Sequence, residues 1–151
     1  MNEPSRTTSP WLTVALVSAG VLAFEVVLMR LLLIASWHHF AFLVISIALL
    51  GFGASGTALC LLRRWLLERA EPALVVLTAA TAASMPLCVA AAQFLPIEAR
   101  FVPALIWRQV GAWVGYWALL AVPFTLGGAV VGLALMHARR RVALVYAANL
   151  A

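Results

Sequence analysis

Residues 11–35 read WLTVALVSAGVLAFEVVLMRLLLIA, and this stretch decides the fold. Its only charged side chains are Glu25 and Arg30. The hydrocarbon core of a bilayer is about 30 Å thick and takes about 20 apolar residues as a helix, so the stretch is long enough to cross it. Ser9-Pro10 opens it, and proline suits a first helical turn. The apolar run exceeds that of a cleaved leader and carries two charges, so it reads as a retained membrane helix.

The pattern repeats outward from there. Apolar runs at Phe40–Leu62, Ala73–Leu95 and Val110–Met136 give three further spans. After Arg139-Arg140-Arg141, residues 142–151 read as the start of a fifth span, too short to cross by themselves. The expected organisation is a tail at 1–10, a four-helix transmembrane domain at 11–141 and the opening of a fifth helix at 142–151. The fold class is an all-α, polytopic membrane helix bundle, and the chain is expected to continue beyond residue 151.

Composition supports this reading. Of 151 residues, 66% are hydrophobic and 10% charged, with a mean hydropathy of +1.07. Soluble domains run at roughly 45–50% apolar and about 25% charged. A water-soluble globule of this size cannot hide that much apolar surface, so lipid or other apolar helices must cover it.

The ionisable side chains narrow the chemistry. All ten basic residues are Arg and all five acidic ones are Glu. With no Lys there is neither a Schiff-base lysine nor a phosphate-loop lysine; with no Asp there is no aspartic dyad or Ser-His-Asp triad. Two Cys and three His do not fit the spacing of a structural zinc site. The expectation is a chain without catalytic residues and without a bound metal.

A net charge of +5 and a pI near 10.6 would suggest nucleic acid in a soluble protein. Here the arginines fall mainly between apolar runs and set topology instead. Arg6, the second connection (Arg63, Arg64, Arg69) and the triplet Arg139–Arg141 share one side, against Arg100, Arg108 and a snorkelling Arg30 on the other. This asymmetry places the N-terminus in the cytoplasm. Trp11, Trp37, Trp65, Trp107 and Trp113 lie near span ends, as interfacial anchors do. Cys60 and Cys88 differ in depth by about 20 Å, beyond the reach of a disulfide.

Few residues remain as candidates for chemistry. Glu25 lies about 21 Å along the first helix from Trp11, and an ionisable group at that depth is costly enough to be read as functional and interior-facing. The plainer reading is a protonated or hydrogen-bonded Glu that locks helices together. Arg30 follows five positions later, about 140° round the helix, so the two are not i,i+4 partners, and Arg30 is expected to snorkel to the headgroups. His38-His39 falls in the turn between the first two spans. A haem or chlorophyll ligand is one reading of it, a solvated turn the stronger one.

Gly51-Phe52-Gly53-Ala54-Ser55-Gly56 matches the dinucleotide-binding spacing, yet apolar sequence continues on both sides where a strand and a new helix are required. Gly51, Gly53 and Gly56 read better as a face that admits another helix, and Gly128 with Gly132 supplies a matching G-x-x-x-G pair in the fourth span. Pro86 and Pro123 interrupt the third and fourth spans and can kink them.

Four segments in order carry a family resemblance: Phe24–Arg30, the glycine face 51–56, Val122-Pro123-Phe124, and Tyr146-Ala147-Ala148-Asn149-Leu150. Together they resemble the membrane-embedded N-terminal region of bacterial spermidine-synthase-like proteins. The resemblance implies a first helix with a Glu and an Arg five positions apart, a glycine-rich second helix and a later helix opened by Tyr-x-x-Asn. It also implies a soluble nucleotide-binding catalytic domain after the helices, which is absent from these 151 residues, so this segment would not be the catalytic part.

Three functions follow as expectations. The first is a non-catalytic membrane subunit or anchor that packs against partner membrane proteins, such as an accessory subunit of a respiratory or photosynthetic complex. The second is a small proton-coupled transporter working through Glu25. The third is the membrane part of a spermidine-synthase-like enzyme.

Overall fold

The structure is a computed structural model and describes residues 10–35, 40–94 and 106–137, with the single position Ala147. It is an all-α bundle of four helices: α1 (Pro10–Ala35), α2 (Phe40–Glu68), α3 (Ala70–Ala92) and α4 (Ile106–His137). Each is long and apolar enough to cross a membrane.

The boundaries depart from the sequence reading at the second connection. Arg63 and Arg64 belong to the last turns of α2, and only Arg69 separates α2 from α3. Nothing between Leu62 and Glu68 breaks a helix, and an arginine stem lies along apolar surface while its head reaches water. The guanidinium of Arg69 sits 5.6 Å from the centre of the Trp65 ring, a cation–π contact at the interfacial level. α3 then starts at Ala70, three residues earlier than its hydropathy suggests, because Glu71 and Pro72 both suit a first turn. It ends at Ala92, where Gln93 and Phe94 donate to the carbonyls of Ala90 and Ala91 in tighter i→i−3 bonds. Pro86 and Pro123 lie inside α3 and α4 without ending either helix.

Packing is arranged around α4, whose contacts with α2 and then α3 are the most extensive. One stripe of α1, Val14, Val17, Val21, Phe24, Leu28 and Leu32, is buried. Its steps of three and four residues mark one face of a helix. The stripe runs antiparallel to α4: Val14 packs with Ala134, Val21 meets Gly127, and the Phe24 and Phe124 rings lie 5.7 Å apart. The Phe124 ring also takes the Phe52 ring edge-on at 6.3 Å, so one fully buried side chain joins α1, α2 and α4.

Unlike a soluble protein, the bundle is apolar on its outer surface as well as in its core. Ile34 is 86% and Leu61 81% exposed, whereas Ser55 and Thr81 are 3% and 2% exposed. Within an apolar solvent a buried hydroxyl must find a partner close by. Ser55 and Ser84 donate to the carbonyls three residues before them, and Thr81 and Thr125 to those four before. Exposed leucines and satisfied interior hydroxyls are what a bilayer requires. Cys60 and Cys88 are both free thiols, one exposed and one buried.

Candidate functional site

Eight of the nine glycines separate into two groups of four with different surroundings, the ninth being Gly20 in ordinary contact with Met85. Four of them close the bundle. A methyl placed on Gly51 would lie 2.6 Å from Phe124 Cβ, 3.0 Å from Thr125 N and 3.1 Å from the Ala121 carbonyl oxygen. A methyl on Gly128 would reach within 2.5 Å of Ser55 Oγ, one on Gly132 would overlap Leu59, and one on Gly127 would lie 2.6 Å from Val21. Gly51 facing Phe124, Ser55 facing Gly128 and Leu59 facing Gly132 keep one constant offset, so α2 and α4 run parallel, in register, along a seam of four-residue steps. Small residues at these steps let two backbones approach where lipid provides no hydrophobic drive between helices.

Gly53 and Gly56 are not in that seam, contrary to the reading of 51–56 as one face. Apart from the chain neighbours and the helix's own backbone, no atom of the described residues lies within 4 Å of the position a Cβ would take on either. The reason is helical geometry: positions 51, 55 and 59 share a face, while 53 is turned about 200° from 51. Gly111 and Gly115 in the first half of α4 are open in the same way and form a G-x-x-x-G pair that the sequence reading passed over. About 200° round α4 from Gly111, Trp113 and Trp117 stand 5.9 Å apart and Tyr116 meets Trp117 edge-on at 5.1 Å, with Tyr116 and Trp117 packed against the core of the bundle. The open glycines thus occupy faces of α2 and α4 that pack on nothing among the described residues.

Glu25 is half-buried at the flank of the buried α1 stripe, not inside the interior as expected. It lies about 140° round α1 from Gly20, whose position faces Met85 of α3, so Glu25 is on the flank away from α3. Arg30 is exposed, on the opposite side of the helix from the buried stripe. Its place agrees with an arginine that reaches for headgroups, and the two charged residues are not brought together.

A groove of about 720 Å³ lies between α1 and α3, floored by Val130 and Ala134 of α4. Thr13, Glu71 and His137 line the end that also carries Arg63, Arg64 and Arg69, and apolar side chains dominate the remainder. Neither Glu25 nor Arg30 borders it. The sequence reading missed this groove; the signal available was a run of small and polar residues on one face of α3, with Glu71, Thr78, Thr81 and Ala82 at steps of three, four and seven.

His38 and His39 lie outside the described residues, as do Arg139–Arg141 and all of 142–151 except Ala147. Among the described residues no group of three His, Cys, Asp or Glu side chains is placed to hold a metal ion. Compared with protein-family models, curated proteins and solved structures, the chain matches none of them.

Proposed function

We propose that the chain is a non-catalytic membrane subunit or anchor whose open glycine faces receive helices of partner membrane proteins in a bacterial inner membrane. The observation that carries this reading is the division of the glycines. Gly51, Gly127, Gly128 and Gly132 sit where a methyl would collide, so the bundle itself explains them. Gly53, Gly56, Gly111 and Gly115 have no such explanation. A glycine inside a helix costs about 1 kcal/mol relative to alanine, and an approaching helix offsets that by close backbone contact. A respiratory or photosynthetic assembly is the kind of complex such a subunit serves. The order of motifs shared with spermidine-synthase-like proteins fits the same role, as the membrane anchor of a larger enzyme.

The test is photo-crosslinking in native membranes. A photoreactive residue at Gly53 or Gly111 gives a protein adduct of defined mass, while the same residue at lipid-facing Ile34 gives none. If positions 53 and 111 behave like position 34, the reading is wrong.

A second reading, the small proton-coupled transporter, draws on the half-buried carboxylate of Glu25 within a span. It stands second because Glu25 does not border the groove and because a cation site is poorly served by Arg30 on the same helix.

A further inference from the structure

The groove between α1 and α3 is shaped for one leaflet of the bilayer. From Leu74, below the mouth, to Met85 at the deep end is about 16 Å along α3, close to half of the roughly 30 Å hydrocarbon thickness. At Met85 the groove closes, because a methyl on Gly20 would lie 3.9 Å from Met85 Cε and α1 meets α3 there. A transmembrane helix needs a face along the whole span, whereas this groove ends near the bilayer centre. Its volume of about 720 Å³ lies in the range of small-molecule sites.

Polar groups are graded with depth. Glu71 and His137 line the mouth, both exposed. Thr78 lines the groove about 10.5 Å deeper than Glu71. Its hydroxyl is buried and has no hydrogen-bond partner, whereas the hydroxyls of Ser55, Thr81, Ser84 and Thr125 all donate to their own helix. A phospholipid presents an amine, a phosphate and an ester in the same order of depth.

From this complementarity we infer that the groove holds a phospholipid of the Arg-rich leaflet whose headgroup carries a primary amine, with one acyl chain between α1 and α3. Glu71 accepts a charge-assisted hydrogen bond from the ammonium group and His137 donates to the phosphate. A change of Thr78 to another staggered χ1 rotamer re-aims its hydroxyl at an ester carbonyl. The carboxylate selects the headgroup: the arginines at this end draw anionic lipid to the surface without selectivity, so a preference for an amine runs against the general field.

The experiment is native mass spectrometry of the full chain released from nanodiscs of equal parts phosphatidylethanolamine and phosphatidylglycerol. One phosphatidylethanolamine is expected to stay bound at several-fold excess over phosphatidylglycerol. Glu71→Gln should remove that preference, and Ala82→Trp, which fills the groove from an exposed position, should remove the retained lipid altogether. Circular dichroism checks that both variants keep wild-type helicity, and wild type alone already decides the headgroup preference. Equal retention of the two lipids, a preference unchanged by Glu71→Gln, or a second protein chain crosslinked to a cysteine at position 82 overturns the inference.

Discussion

At the scale of single residues, identical side chains do opposite work according to their angle on the helix. Gly51 faces backbone atoms of Thr125 and Ala121, which cannot move aside singly, whereas Gly53 two positions on faces nothing. Gly51→Ala should therefore destabilise the bundle by about 1–3 kcal/mol, the usual cost of overpacking. Gly53→Ala should leave it unchanged or slightly more stable. Thermal denaturation of the two variants in one detergent checks the contrast, and equal losses would contradict the packing described for the α2–α4 seam. Which glycine belongs to which class is not legible in the motif, because its spacing does not say which side of α2 meets α4. The separation of Arg30 from Glu25 was legible, since five positions turn the two side chains about 140° apart on the helix.

At the scale of elements, hydropathy located all four helices, because twenty apolar residues in a row leave few alternatives to a span. Their ends were less legible. α2 runs on through Arg63 and Arg64 because charge ends a hydropathy plot but does not end a helix. The partnership of helices was not legible either: α2 and α4 are separated by α3 in the chain, yet they make the closest approach, in parallel. The constant offset between Gly51 and Phe124, Ser55 and Gly128, and Leu59 and Gly132 gives that arrangement a direct test. With Cys60 and Cys88 replaced by serine, cysteines at Leu59 and Gly132 should form a disulfide on mild oxidation. Cysteines at Leu59 and Ala121 should not, being displaced by about 16 Å along the axis. Crosslinking of the second pair and not the first would require α2 and α4 to run in another register.

At the scale of the whole molecule, the described helices pack around Phe124 and leave glycines on α2 and α4 open. Phe124 joins three helices, and the interior hydroxyls of Ser55, Thr81, Ser84 and Thr125 are capped, so four helices form a self-consistent unit. The open glycines Gly53, Gly56, Gly111 and Gly115 meet no other helix among the described residues, which makes association the property most worth testing. Purification of the full chain from its native membrane in a mild detergent, with mass photometry of the product, tests the central claim most directly. The account predicts a particle well above the 16.2 kDa of the chain plus its micelle, with a partner present in fixed stoichiometry. The paired substitution Gly53→Leu with Gly56→Leu should then release a folded four-helix monomer of unchanged thermal stability. A wild-type chain that runs as a stable monomer, or a doubly substituted chain that stays in the larger particle, would contradict it.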